Sequence, residues 1–143
     1  MPKTLADVAK AMKDIDFAML NSKAEDGSIG ARPMSNNGDV DYDGDSWFFT
    51  TDDTRMVADI GRDPHVGLSF QGKSGMLGMR PFFVAVEGRA DIVRDKATFE
   101  AHWTPDLERW FKDGVDTPGL VMIHVRAERL HYWDGEDEGE VAV

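Results

Sequence analysis

The sequence predicts a mainly β fold, an antiparallel barrel or strongly coiled sheet with peripheral helices. Several stretches alternate apolar with polar residues, which is typical of half-buried strands, as in residues 66–70. These stretches are joined by turns and a few short helices, without the regular strand–helix alternation of a parallel sheet. The 143 residues contain no internal repeat or interdomain linker, so we expect a single domain over residues 1–134.

The first half of the chain is predicted to open with a helix and to continue as strands. Apolar residues at i, i+3, i+4 and i+7 indicate an amphipathic helix over residues 5–12. Residues 17–22 and 28–35 are predicted to be the strands of a hairpin, because the turn signal Glu25-Asp26-Gly27 lies between them. Residues 47–51, rich in aromatic side chains, form a third predicted strand.

The second half contains a short helix, then strands and one helical segment. The helix begins near Arg55, and Gly61 and Pro64 end it. The remaining predicted elements are a strand over residues 65–70, a strand over 82–93, a helical segment over 95–113 and a strand over 120–133. We expect a bulge or kink at Gly88. Pro105 interrupts the helical segment and suits the first position of a new helix.

The chain is acidic and lacks cysteine. With a net charge of -11 and no basic stripe, it is not expected to bind nucleic acid. The absence of cysteine excludes disulfides, thiolate metal sites and a cysteine nucleophile. No apolar signal region and no stretch of ~20 apolar residues is present, so we expect a soluble cytoplasmic protein with no membrane contact. The acidic residues 135–143 are predicted to form a flexible tail.

Three features that suggest phosphate or metal binding are rejected. Residues 67–74 match the phosphate-binding P-loop pattern formally, but their first half alternates as a strand and no helix follows. Residues 39–50 imitate an EF-hand calcium loop, but Thr50 stands where the bidentate glutamate belongs. The four histidines show no ligand spacing with carboxylates, so we predict no metal site.

The corner between the third strand and the following helix is a candidate anion site. Backbone N–H groups at a helix start are free to bind a phosphate. Thr50, Thr51 and Thr54 bring hydroxyl groups to this corner, and Arg55 follows them. Arg32, on the second strand, adds a guanidinium that suits bidentate phosphate binding. An apolar aromatic strand that leads into such a site suits a flat ring attached to the phosphate.

Each of these residues also has an interpretation without a ligand. Arg32 and Met34 share one face of their strand. An arginine on the inner face of a barrel needs a partner, which is either a phosphate or one of the many aspartates. Asp53 or Thr54 caps the helix without binding anything else. Pro33 lacks a backbone donor and indicates an edge strand or a bulge.

Residues 102–111 are unusually aromatic for a helical segment. The side chains predicted on its apolar face are Trp103, Leu107, Trp110 and Phe111. Packing in the core or against a second subunit is the first interpretation of this face. Stacking on a bound ring is the alternative.

The order of these motifs resembles one known family. The segments that carry the resemblance are Ala31-Arg32-Pro33-Met34, Trp47-Phe48-Phe49-Thr50-Thr51, Asp63-Pro64-His65-Val66-Gly67-Leu68-Ser69-Phe70, Val86-Glu87-Gly88-Arg89-Ala90, Trp103-Thr104-Pro105, Trp110-Phe111, Asp116-Thr117-Pro118 and Tyr132-Trp133-Asp134. In this order and spacing, which covers nearly the whole chain, they resemble the pyridoxamine 5'-phosphate oxidase-like split-barrel flavoproteins. Within that family the chain is most similar to the general stress protein group.

The resemblance implies a split antiparallel β-barrel that forms a homodimer, with FMN bound in a groove between the subunits. It implies that Arg32, with Thr51 and Thr54, holds the phosphate. One departure concerns Met56, because relatives usually place a lysine at that position. Arg55, one position earlier and with a longer reach, is then the candidate to supply the missing positive charge.

The resemblance also assigns the ring of the cofactor to backbone of the two strands. The residues whose backbone is implied to face the isoalloxazine ring are Pro33, Met34, Phe49 and Thr50. Trp110 is implied to close the site, from the partner subunit. No side chain is predicted to act as a general acid or base, so the catalytic residues stay unassigned, as does the loop over residues 72–80.

Three functions are consistent with the sequence. The first is an FMN-dependent oxidoreductase that acts on an unknown small-molecule redox partner. The second is a flavin-binding stress protein that sequesters or senses flavin without turnover. The third is a split barrel that binds another ligand, such as haem or a deazaflavin. Oxidation of pyridoxamine phosphate is disfavoured, because its substrate needs a second phosphate site and none is found.

Overall fold

A computed structural model of the chain describes residues 3–13, 15–35, 42–72 and 81–143. Within these ranges, seven strands and three α-helices are accompanied by two 3-10 helices, Pro105–Arg109 and Gly114–Asp116. The helices are α1 (Leu5–Met12), α2 (Arg55–Arg62) and α3 (Lys96–His102). The strands are β1 (Phe17–Lys23), β2 (Ile29–Ser35), β3 (Asp45–Thr51), β4 (His65–Gln71), β5 (Phe82–Val93), β6 (Leu120–Asp134) and β7 (Asp137–Ala142).

All seven strands belong to one antiparallel sheet, in the order β2-β1-β4-β5-β6-β3, with β7 also paired to β6. The first half of β6 pairs with β3, from Leu120 to Arg126, and its second half pairs with β7. β2 and β3 are therefore the two ends of the main path. The sheet does not close between them. The predicted antiparallel, strongly coiled sheet with peripheral helices is confirmed in this open form.

The predicted hairpin and the predicted bulge are both present. β1 and β2 pair antiparallel, with Phe17 opposite Ser35. The register between β5 and β6 shifts between Glu87 and Gly88. A Cβ atom at Gly88 would collide with the carbonyl oxygen of Arg126, so only glycine fits this close approach of two backbones.

Of two predictions about the second half, one needs correction and one is confirmed. Residues 135–143 are not a flexible tail, because β7 pairs with β6 and Val141, opposite Leu130, is buried. Among the described strands, β7 is the partner of the second half of β6 on that side, and this pairing satisfies the backbone groups of both. The predicted interruption of residues 95–113 is present, since α3 ends at His102 and a new helix, of the 3-10 type, starts with Pro105 in its first turn.

Two apolar clusters lie on opposite faces of β3. Phe48 belongs to the main cluster, which fills the interior of the coiled sheet beneath α1 and α2. The neighbouring Phe49 belongs to a second cluster, beneath α3. Successive side chains of a strand point to opposite faces, so β3 connects both clusters. The members of the second cluster are Phe49, Phe99, Leu107, Leu120 and Met122, with Trp47, Val93, Trp103, Phe111 and Val115 partly buried around them.

The described parts of both rejected motifs are consistent with their rejection. Residues 67–71, the first half of the P-loop match, lie in β4. Residues 45–50 of the calcium-loop match lie in β3, whereas its first three residues lie outside the described ranges. Across those ranges, no helix has the length and apolar character needed to cross a bilayer.

Candidate functional site: a groove between the sheet ends

A groove of about 390 Å³ lies between the two ends of the sheet. β2 and β3 line it from opposite sides, and the 3-10 segment after α3 contributes further side chains. Its lining consists of Phe17, Arg32, Pro33, Met34, Ser35, Phe49, Thr50, Thr51, Leu107, Trp110 and Phe111. Pockets of about 300–1,000 Å³ are typical of small-molecule and cofactor sites.

The edges of β2 and β3 give this groove a polar backbone. In the described part of the sheet, β2 pairs only with β1 and β3 only with β6. An edge strand leaves N–H and C=O groups without a sheet partner on its outer side. Pro33 of β2 lies opposite Met19 of β1. Proline lacks a backbone N–H, and it is tolerated here because β2 is an edge strand. The edge position predicted from Pro33 is confirmed.

The side chains of the groove combine apolar walls with a single charge. Met34 and Phe49 are buried, whereas Phe17 and Trp110 remain 55% and 58% exposed at the groove. Among the described lining residues, Arg32 alone is ionisable. No other described residue forms an ion pair with Arg32.

The exposure of Arg32 corrects the expectation of an inward-facing, buried arginine. Met34 is buried on the inner side of β2, but Arg32, on the same face of the strand, is exposed. A long arginine side chain can extend past an apolar surface and keep its charged group in water. The charge therefore needs no buried partner and is available to a ligand in the groove.

The corner between β3 and α2 is held in place by local hydrogen bonds. The Thr51 hydroxyl donates to the Asp53 carboxylate at 2.6 Å. Thr54 caps α2, because its hydroxyl accepts from the Val57 N–H at 3.3 Å, as predicted. The Asp52 N–H donates to the Gly119 carbonyl at 2.8 Å, which attaches the corner to the start of β6.

Gly119 is required at this attachment. Its φ of +75° lies in the left-handed region, and a Cβ atom there would be 2.9 Å from the Asp52 carboxylate. Beyond the attachment, the N–H groups of Arg55 and Met56 in the first turn of α2 find no acceptor within the described ranges. Such N–H groups, at the positive end of a helix, favour an anion.

Seven of the nine predicted cofactor residues line the groove together. They are Arg32, Pro33, Met34, Phe49, Thr50, Thr51 and Trp110. Thr54 and Arg55 do not line it, since Thr54 is the helix cap and Arg55 lies over a separate concavity of about 520 Å³. There Arg55 Nε is 3.7 Å from the buried Asp59 carboxylate. Met56, where relatives usually have a lysine, packs in the main core.

The aromatic segment after α3 divides into a packing part and an exposed part. Trp103 packs edge-on against Phe49, with ring centroids 5.0 Å apart. Leu107 is buried in the same cluster, but Trp110 is exposed, with the Arg109 guanidinium 5.8 Å from its ring centre. The predicted single apolar face is thus only partly correct, because the 3-10 helix does not keep the period of an α-helix.

Phe17 and Ser35 line the groove but were not predicted from the sequence. They lie opposite each other at the open end of the β1–β2 hairpin. The alternation of β1 could have indicated Phe17. Ala18 and Leu20 are buried on one face of the strand, so Phe17 lies on the opposite, exposed face. A large aromatic residue on the exposed face of a strand is a candidate for contact with a ligand or a second subunit.

A group of stacked rings surrounds Trp47, which lies on the same face of β3 as Phe49 and packs against the second cluster. His102 and His124 both stack on Trp47, with centroid distances of 4.0 and 3.8 Å. His124 Nε2 is 3.0 Å from the Asp45 carboxylate. Burial lowers the pKa of His102, and the nearby His124 lowers it further. The described residues contain no cluster of three side chains suited to a metal ion.

Comparison with known proteins gives one consistent family. The profile of the "Pyridoxamine 5'-phosphate oxidase like" family matches residues 3–143. General stress protein 26 of Bacillus subtilis is 27% identical over 96 residues, which cover 66% of this chain and 65% of that protein. The match therefore spans just under two thirds of that curated relative's length.

Solved structures of other bacterial proteins share the fold. A Clostridium acetobutylicum protein related to general stress protein 26 has a TM-score of 0.81 at 20% identity, covering 97% of this chain and 94% of its own. The general stress FMN/FAD binding protein of Xanthomonas citri has a TM-score of 0.75 at 28% identity, covering 93% and 89%. A haem binding protein of Mycobacterium smegmatis has a TM-score of 0.78 at 11% identity, covering 99% and 59%. The chain belongs to the pyridoxamine 5'-phosphate oxidase-like family, and its open antiparallel sheet is a split barrel.

Proposed function

We propose that the chain is a flavoprotein that binds FMN in the groove between β2 and β3. The observation that carries the proposal is the composition of the groove, which in the described part of the chain is an apolar slot between two edge strands with one arginine that forms no ion pair. A flavin ring has large apolar faces and a polar edge, and FMN adds a phosphate. The X. citri relative, described as FMN/FAD binding, supports a flavin as the ligand.

The residues present fit the parts of FMN in this way. Met34 and Phe49 provide the apolar wall for the ring, and the outer backbone edges of their strands provide hydrogen bonds to its polar side. Arg32 provides a charge-assisted contact for the phosphate. Thr51 lies at the end of the groove that continues into the start of α2, where free N–H groups favour the same anion.

The reaction proposed is flavin-dependent oxidation or reduction of a small molecule. A bound flavin supplies the redox chemistry, and the protein binds and orients it and excludes water. Among the described lining residues, none besides Arg32 is ionisable, so this lining offers no carboxylate, histidine or tyrosine for general acid–base catalysis. The same observation favours a second candidate function, a stress protein that binds or sequesters flavin without turnover.

Haem is a less suitable ligand for this groove. The common axial ligands of haem are histidine, cysteine and tyrosine, with methionine as a second ligand beside histidine. In the described lining, Met34 is the only residue of these four types. A deazaflavin would use the same apolar slot and anion site as FMN, so the absorption spectrum has to distinguish the two.

We also propose that a second copy of the chain covers the groove. Phe17 and Trp110 are exposed at the groove, and Phe83 and Trp133 are exposed cross-strand neighbours on β5 and β6. Exposed aromatic residues of this number are typical of a subunit interface. Light scattering should give the mass of a homodimer, and a monomer that binds FMN tightly would contradict this part of the proposal. The predicted cytoplasmic location stays a prediction.

The test is spectroscopic. The purified protein, or the protein after incubation with FMN and gel filtration, should show flavin absorption bands. Absence of these bands after both treatments would contradict the proposed function. For flavin-loaded protein, loss of the oxidised-flavin band on adding NADH or NADPH without oxygen supports an oxidoreductase. A flavin that stays oxidised with both donors supports the non-catalytic binder.

A further inference from the structure

Asp59 of α2 is a charged residue in an unusual position. Its side chain is 7% exposed, and two arginines of the same helix approach its two oxygen atoms. Arg62 Nη2 lies 2.7 Å from Oδ1, which is a hydrogen-bonded ion pair. Arg55 Nε lies 3.7 Å from Oδ2, which is too long for a hydrogen bond.

The two contacts therefore differ in strength. A buried carboxylate needs a cation and hydrogen bonds close by, and Arg62 supplies both. Arg55, with 72% of its side chain exposed, holds only a long and solvated contact. If the Arg55 side chain moved away, Asp59 would remain paired with Arg62. Movement of Arg55 therefore costs little free energy.

The surroundings of Arg55 are acidic and separate from the groove. The concavity it occupies is lined also by Glu25 and Asp26, and it shares no described lining residue with the groove. Hydrogen bonds from Ser28 keep the pKa of Asp26 low, with a smaller contribution from Arg55, so this carboxylate is ionised at neutral pH. Arg55 is at the same time the first residue of α2, where the free N–H groups begin.

We propose that Asp59 is a positioning residue that competes with a bound phosphate for the Arg55 side chain. Arg55 exchanges between Asp59, when the anion site is empty, and the anion at the start of α2, when the site is filled. Arg62 keeps Asp59 compensated in both states. This inference rests on the proposed binding of FMN, and it makes the Arg55–Asp59 contact a determinant of phosphate affinity.

The experiment measures affinity for FMN and for riboflavin, which lacks the phosphate. Asp59→Asn should raise the ratio of FMN affinity to riboflavin affinity by about two- to fivefold, the range expected from an exposed ion pair. In the background of Arg55→Ala the same substitution should have no effect on this ratio. Asp91→Asn is the matched control, because Asp91 pairs with Arg126 and lines neither concavity, and it should leave the ratio unchanged.

Several outcomes would overturn the inference. An unchanged or lower ratio in Asp59→Asn would do so, as would an equal gain in the Arg55→Ala background. If Asp59→Asn does not fold, Asp26→Asn removes an exposed carboxylate of the same concavity and should raise the ratio in the same direction, by less. Wild-type protein that fails to bind FMN would overturn the proposed function and this inference together. Preferential FMN binding by the wild type, unaffected by these substitutions, would overturn this inference alone.

Discussion

Arg32 and Arg55 were predicted to serve the same anion, yet their surroundings differ. Arg32 lies in an apolar groove, where no described residue forms an ion pair with it. Arg55 lies over an acidic concavity, within reach of the buried Asp59 and near Asp26. Both side chains are exposed, so burial does not distinguish them.

The comparison shows that the neighbours of an arginine decide whether it is available to a ligand. A guanidinium among apolar walls gains its full charge-assisted contact when an anion arrives. A guanidinium beside carboxylates has to give up existing contacts first, and only the difference in free energy contributes to binding. We therefore expect Arg32 to contribute more to phosphate binding than Arg55.

The largest expected effect is that of Arg32→Ala. Hydrogen bonds to charged groups contribute about 1.5–3 kcal/mol, so FMN affinity should fall by about tenfold to hundredfold. Riboflavin affinity should change little, because riboflavin has no phosphate. Arg55→Ala should reduce FMN affinity by less. Titration of each variant with both flavins measures these changes, and equal losses for the two flavins in Arg32→Ala would mean that Arg32 does not bind the phosphate.

Gly119→Ala tests the corner between β3 and α2, which Gly119 attaches to the start of β6. The left-handed φ of Gly119 costs an alanine about 1–2 kcal/mol, and its Cβ would press on the Asp52 side chain. The free energy of unfolding, measured with urea, should fall by about that amount. FMN affinity should fall as well, because the corner holds Thr51 beside the groove.

Gly27→Ala is the matched control for this change. Gly27 has a φ of +87° and open space around its Cβ position, in the turn between β1 and β2. It should lose a similar amount of stability and keep its FMN affinity. If both variants lose FMN affinity equally, the position of the corner is not what supports binding.

The smallest expected effect concerns the rings on Trp47. The pKa of His102 is lowered from its ordinary value of 6.5 in the folded protein. As the pH falls through 6.5, the unfolded chain therefore takes up a proton on this histidine more readily than the folded protein does. His102 therefore lowers the free energy of unfolding as the pH falls through 6.5. Well above pH 6.5 it is neutral in both states and has no such effect. His102→Gln should show a smaller loss of unfolding free energy between pH 8 and 5.5 than the wild type. An identical pH dependence would contradict the burial of a neutral His102.

Much of the fold could be predicted because its signals are local. The alternation of β1 and β4, the turn at Gly27 and the missing donor of Pro33 each act within a few residues. Gly88 marked the bulge for the same reason. β7 was missed for two reasons. Its sequence is mostly acidic and only Val141 is buried, so it shows no apolar alternation. Its pairing with β6 is a tertiary contact, for which the segment itself carries no local signal.

The site could be predicted as a set of residues but not as an arrangement. The groove residues of β2 and β3 are visible in the sequence, whereas the opening between the two strands depends on the path of the whole sheet. The position of Arg55 had a local signal, because Asp59 follows it at the i, i+4 spacing of a helical ion pair. The exposure of Trp110 had none, since it depends on where the 3-10 helix ends.

Parallel titration of the wild-type protein with FMN and riboflavin, followed by flavin fluorescence, tests the central claim most directly. Saturable binding of both flavins, with FMN at least about tenfold tighter, is the result expected for an apolar slot joined to an anion site. Absence of FMN binding, or equal affinity for the two flavins, would contradict the assignment of the groove between β2 and β3 as an FMN site.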